Sequence, residues 1–219
     1  MSRPQQLRQE YESTERAAHY RDHRWTRSAR ARRTNAKELA IVDGFAHSAL
    51  CLQNLDSANE KSRFTLAIDV PCGTGRFRTL MKNHTAELLS MDASHEMLAA
   101  AVSQPQVQAS AHKLPLVDSA VDFILCSRLL HHFETSAERL TVLQELARVS
   151  KRWIVLSYFD SANFQAWRNR LRGKFRGRFP ISQEQFALEI KAAGLLERQR
   201  RYIRRGFSEQ VWVLLEVQG

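Results

Sequence analysis

The feature that most constrains this chain is a short apolar run that ends in an acid and a glycine loop. Phe64-Thr65-Leu66-Ala67-Ile68 reads as a buried strand and passes through Asp69-Val70 into Pro71-Cys72-Gly73-Thr74-Gly75. A helix is expected to follow through about Lys82. Glycines at such a turn adopt backbone conformations closed to other residues and let a ligand approach closely. In a doubly wound sheet, this turn is where a nucleotide-like cofactor sits. Two cofactor classes compete for it. A dinucleotide fingerprint calls for a small residue three positions after the second glycine, and Arg78 stands there. Asp69 would also repel a pyrophosphate, whereas it would attract the ammonium of an amino-acid moiety.

The rest of the chain repeats the strand–helix alternation. Leu88–Met91 reads as a second strand ending at Asp92, and Ser94 is placed to cap a helix through Ala101. Val107–Ser110 is a brief third strand and Val121–Cys126 a fourth. Helical spacing of Leu140, Leu143, Leu146 and Ala147 predicts a helix over 135–149, and Trp153–Leu156 is a fifth strand. Ser182, with Gln185 three residues on, starts a helix that stops at Gly194. Leu195–Ile203 and Gln210–Val217 read as two last strands joined by a turn near Gly206. The predicted fold is α/β: a Rossmann-like, doubly wound seven-stranded sheet, mostly parallel with an antiparallel last strand, and helices on both faces. Residues 1–60 are expected to form an N-terminal helical arm or lid, with a helix from about Asn35 carrying Leu39, Ile41, Val42, Phe45, Ala46 and Ala49. Residues 61–219 form the main domain, with a basic insert at about 161–181.

Four segments, in order and at the expected spacing, resemble the class I S-adenosylmethionine-dependent methyltransferases, in particular their small-molecule, ubiquinone-biosynthesis-like branch. The resemblance spans about residues 64–157. Asp69-Val70-Pro71-Cys72-Gly73-Thr74-Gly75 is similar to the first motif, with Pro71 where many relatives have glycine. Leu89-Ser90-Met91-Asp92-Ala93-Ser94 is similar to the second, where the acid binds both ribose hydroxyls; one carboxylate accepts two hydrogen bonds from a vicinal diol. Met97 falls where the family packs adenine. Ser110-Ala111-His112 resembles the third motif, with Ser110 replacing the usual acid. Cys126, Ser127 and Arg128 resemble positions that line the methionine end, and the second histidine of the His131-His132 pair faces the reaction centre in relatives. The resemblance implies S-adenosylmethionine as cofactor and a lid formed by the N-terminal arm, with Tyr20 and Trp25 as candidates. Imidazole titrates near neutrality, so His132, and after it His131, are the candidate bases, with Tyr158 more remote. Cys72 and Cys126 read as packing residues.

Charge narrows the partners. The net charge of +10 is segregated: residues 1–37, 168–178 and 198–205 together carry +17, and the remainder −7. Trp167, Arg168, Arg170, Arg172, Lys174, Arg176 and Arg178 alternate bases with aromatics, which suits an anionic partner. Such a surface fits a small-molecule or lipid-like anionic acceptor, peripheral contact with an anionic membrane, or RNA. The expected activity is methyl transfer to a small-molecule or lipid-like acceptor. The alternatives are an RNA methyltransferase and a non-catalytic binding module of the same fold. Against RNA, Cys126-Ser127-Arg128-Leu129 lacks the Asn/Asp-Pro-Pro-aromatic signature of adenine-N6 enzymes. No carboxylate/histidine cluster has metal-ligand spacing, so no metal is expected. Three scattered cysteines and no apolar leader predict a cytoplasmic protein. Oligomeric state is not read from the sequence.

Overall fold

The computed structural model describes residues 14–55, 62–101, 105–162 and 178–218. Two helices open it, α1 (Thr14–Asp22) and α2 (Ala29–Leu55). The alternating core follows: β1 (Phe64–Asp69), α3 (Arg78–His84), β2 (Thr85–Asp92), α4 (His95–Ala100), β3 (Gln106–Gln108) and β4 (Val121–Cys126). After a 3₁₀ turn at Leu130–His132 come α5 (Ser136–Val149), β5 (Ser150–Phe159), α6 (Gln183–Ala192), β6 (Leu195–Tyr202) and β7 (Gln210–Val217). The seven strands lie in the order β3-β2-β1-β4-β5-β7-β6. Strands β1 to β5 pair in parallel, and β7 runs antiparallel to both its neighbours. The expected fold class is therefore found.

Period-two alternation divides the core between the two faces of the sheet. On one face, Ile124, Ile154, Leu156, Val213 and Leu215 meet Val142, Leu143 and Leu146 of α5 and Phe186 and Ile190 of α6. On the other, Phe123, Leu125, Trp153, Val155, Trp212 and Leu214 meet Val42, Phe45, Ala46 and Ala49 of α2. Trp153 and Trp212 are fully buried, and each such side chain contributes about 2–3 kcal/mol through area removed from water. So α2, which the sequence reading assigns to the arm, supplies one layer of the core.

Local chemistry fixes the ends of these elements. Ser94 accepts from the Met97 N–H at 3.1 Å and starts α4. Thr135 and Glu138 form a reciprocal capping box at α5. Ser182 accepts from the Gln185 N–H at 3.1 Å and starts α6, and Gly194, at φ +70°, closes the end of that helix. Several elements run further than the sequence predicts. Helix α2 begins at Ala29 and not near Asn35, β2 begins at Thr85, and β5 extends from Ser150 to Phe159. In contrast, β3 stops at Gln108, short of Ser110.

Candidate active site

The order of connections reverses between β1 and β4, so their carboxyl ends open a crevice, the place where doubly wound sheets bind ligands. A cavity of about 230 Å³ occupies it. The glycine loop forms one wall. Gly73 sits at φ +55° and Gly75 at φ +77°, a region that side chains bearing Cβ enter only with strain. A Cβ at Gly73 would meet nothing within 4 Å, so glycine is required there by backbone conformation and not by crowding.

Two acids stand at the strand ends. Asp92 accepts from the Gly73 N–H at 2.8 Å through Oδ2 and from the Ser94 N–H at 2.9 Å through Oδ1. It thereby ties β2 to the glycine loop while lining the cavity. Burial raises its pKa against the pull of those N–H groups. Asp69 is 1% exposed, and its Oδ1 has no hydrogen-bond partner among the described residues. Burial, opposed by Arg76 and reinforced by Asp92, pushes its carboxyl up to about 8.

Of the residues that the resemblance marks for cofactor contact, Pro71, Cys72, Gly73, Thr74, Asp92, Ala93, Met97, Ser110, Ala111, His112, Ser127 and Arg128 line the cavity together. Asp69, Gly75 and Cys126 do not. Cys126 is fully buried within the core under α5, and burial beside Asp69 raises its thiol pKa far out of the reactive range. Cys72 is likewise held as a thiol by burial and by its acidic neighbours. Tyr158 is absent from the wall: its ring is fully buried and stacked on Phe186 at 4.0 Å.

Part of the cavity wall is cationic. Arg24, Arg128, Arg178, His131 and His132 line it, beside the apolar Leu129 and Phe133. The His131 ring is 2% exposed and stacks on the Phe159 ring at 3.8 Å, and the Arg178 guanidinium lies 5.4 Å from the centre of the Phe159 ring. Burial, then His132 and the guanidiniums of Arg178, Arg128 and Arg24, hold His131 well below the ordinary imidazole range. Ser127 Oγ, Arg128 Nε and His131 Nδ1 are buried polar atoms with no hydrogen-bond partner among the described residues. Such orphans beside a cavity mark where a ligand's polar groups would fit. Two backbone bonds hold the segment that follows Arg178 at this wall. The Ile181 N–H donates to Phe159 O at 2.7 Å, and the Phe179 N–H donates to His131 O at 2.7 Å. Trp167, Arg168, Arg170, Arg172, Lys174, Arg176 and the side chain of Tyr20 lie outside the described residues.

Trp25, a lid candidate, lines the cavity and is held by Arg128, which the sequence reading placed at the methionine end, and by Arg76 and Glu38, which it did not single out. The Arg76 guanidinium lies 3.8 Å from the centre of its ring, and that of Arg128 lies 4.9 Å away. Both guanidiniums pair with the fully buried Glu38 of α2, at 2.6 and 2.7 Å. A signal for Glu38 exists in the sequence. It falls on the buried stripe of α2 with Val42, Phe45 and Ala49, and a charge on an apolar stripe requires a partner.

Residues 68–153 match the sequence model of the family described as "Methyltransferase domain". Comparison with curated proteins gives no match. Among solved structures, the chain is similar to magnesium protoporphyrin IX methyltransferase from Synechocystis PCC 6803 with bound SAH, at TM-score 0.76 and 14% identity, over 98% of this chain and 100% of that one. An S-adenosylmethionine-dependent methyltransferase from Clostridium acetobutylicum aligns at TM-score 0.61 and 13% identity, over 81% of this chain and 91% of that one. One from Archaeoglobus fulgidus aligns at 0.58 and 14%, over 69% and 86%. Sheet order and glycine loop agree with the Rossmann-like fold of these solved structures, and the segment that matches the methyltransferase-domain model, residues 68–153, contains both the loop and the strand ends that open the cavity.

Proposed function

We propose that this protein methylates a small acceptor that carries a negative charge close to the reacting atom. The observation that supports this reading is the polarity of one cavity. Asp92 and the glycine loop line it where β1 and β2 end, with Asp69 buried behind them, and Arg24, Arg128, Arg178 and two histidines line it as well. In the similar Synechocystis enzyme, the acceptor is a small molecule by name, magnesium protoporphyrin IX. Leu129 and Phe133 add an apolar surface, which suits a lipid-like or ring-bearing body on that acceptor.

The β1–β2 side fits S-adenosylmethionine. The orphaned Asp69 Oδ1 awaits a cation, Asp92 has lone pairs left for a diol, and Met97 offers an apolar wall. When bound, the cofactor supplies an activated methyl group on a sulfonium. The chain's own residues then have three tasks. Asp69 and Asp92 orient the cofactor, the cationic side fixes the acceptor in line with the transfer, and Trp25 with Arg24 excludes water. His131, held neutral in a cationic setting, is poorly suited to gain a proton. Transfer to an acceptor that is already ionised needs no base, whereas a hydroxyl acceptor would rely on His132.

The test offers purified protein radiolabelled S-adenosylmethionine with small carboxylates, phosphates and phenols, their neutral esters or ethers, and RNA. Label should pass to an anionic small molecule and fall at least about tenfold in an Arg178→Ala variant. Transfer to neutral acceptors that is indifferent to Arg178, or transfer to RNA alone, would contradict the proposal.

A further inference from the structure

Neither the resemblance nor the matched domain assigns a role to Glu38. We infer that Glu38 is a positioning residue for the methyl-transfer site, one that holds Arg76 and Arg128 against Trp25 so that the N-terminal segment becomes a wall of the cofactor cavity. This rests on the cofactor reading above.

Four separate parts of the chain meet here. Glu38 comes from α2, Arg76 follows the glycine loop, Arg128 follows β4, and Trp25 lies between α1 and α2. Each Glu38 oxygen takes one guanidinium: Oε2 accepts from Arg76 at 2.6 Å and Oε1 from Arg128 at 2.7 Å. Asn35 accepts from Arg76 at 3.1 Å, and Gln210 accepts from Arg128 at 2.7 Å. Arg128 is further fixed by its backbone. It sits at φ +60°, and its N–H donates to Ser157 Oγ at 2.8 Å. A non-glycine residue held in that region points to a site whose surroundings over-determine it.

Charge explains why one carboxylate is needed. Two guanidiniums beside one indole repel each other, and the proximity of Arg128 lowers the pKa of Arg76 in addition to the effect of burial. Burial works against the charge of Glu38, yet Arg128 and Arg76 outweigh it and hold the carboxyl ionised. A buried ionic triad is rarely a net source of stability, because desolvation offsets the attraction. Its value here is geometric. Trp25, Arg76 and Arg128 line the cavity, whereas Glu38 does not, so Glu38 acts through them. Planar guanidiniums stacked on an indole fix its orientation more closely than apolar contact does.

The test uses the full chain, S-adenosylhomocysteine as probe, and the fluorescence change of Trp25 isolated by difference from Trp25→Phe. Wild type should show a saturable Trp25-dependent change. Glu38→Gln should raise Kd at least about tenfold and abolish that change, while circular dichroism and a cooperative melt persist. An unchanged Kd, or a raised Kd with the Trp25 signal intact, would overturn the proposal. If Glu38→Gln does not fold, Trp25→Ala decides: a similar rise in Kd upholds the wall, and a wild-type Kd overturns it. Wild type that fails to bind the probe would remove the cofactor reading itself, an outcome distinct from wild type and variants binding alike.

Discussion

Replacing Asp69 by asparagine should stabilise the ligand-free protein while destroying its cofactor site. The carboxyl is 1% exposed with an unpartnered oxygen, and in the fold it titrates near 8 against an ordinary value of 3.8. Between those values, the folded protein holds a proton that the unfolded chain has released. Stability therefore falls as pH rises through this window. At pH 7 the difference spans roughly 3 pH units, or about 4 kcal/mol at 1.36 kcal/mol per unit. Asparagine carries no such cost but brings an amide N–H that must find an acceptor, so we expect a net gain of about 2 kcal/mol. For a chain of this size, that is a rise in Tm of about 5 °C. Thermal melts of both proteins at pH 4, 6 and 8, at one ionic strength, provide the assay. By the same arithmetic, the variant should lie about 2 kcal/mol below wild type at pH 4, where only the cost of the amide remains, and stand clearly above it by pH 8. A difference that is flat with pH, or a variant that becomes progressively less stable than wild type toward pH 8, would refute the reasoning.

Further consequences can be checked in the same way. A bound cation should draw Asp69 back toward ionisation, so cofactor binding should release a proton at pH 7 and tighten as pH rises toward 8; calorimetry in buffers of different ionisation enthalpy would detect it, and Asp69→Asn should abolish it. Glu189→Gln breaks a buried pair in which Arg139 donates to both carboxylate oxygens and to Phe133 O and Glu134 O; a loss of about 3 kcal/mol is expected by denaturant titration. Thr135→Ala removes the capping box of α5 and should cost about 1 kcal/mol by the same titration, with cofactor affinity unchanged.

The parts of this fold that were legible in the sequence are those set by local chemistry. Val121–Cys126 is a run of six buried residues bounded by turn signals, and its predicted bounds are the observed ones. Ser94 and Ser182 announce helix starts because their side chains satisfy N–H groups that no helical carbonyl reaches, whereas the cap at Thr135 was not singled out. Asp69, Gly73 and Asp92 stood out because a strand end, a tight turn and a second strand end must recur at a fixed spacing. What was missed depends on tertiary partners. The first turns of α2 carry Arg30, Arg32 and Arg33, which show no apolar period, so its true start was not evident. Ser157 interrupts the apolar run of β5, yet it is buried because its hydroxyl accepts from the Arg128 N–H. Glu38 and Arg76 were passed over because their pairing joins residues 38 positions apart, and one-dimensional spacing does not show such contacts.

The most direct test of the account is calorimetric titration of the protein with S-adenosylmethionine, alongside an Asp92→Ala variant. Asp92 lines the cavity and also anchors Gly73, so the variant loses both the diol acceptor and the set of the glycine loop. The account predicts saturable, roughly micromolar binding by wild type, weakened at least a hundredfold in the variant, which is about 3 kcal/mol. Wild type that does not bind, or a variant that binds equally well, would contradict it.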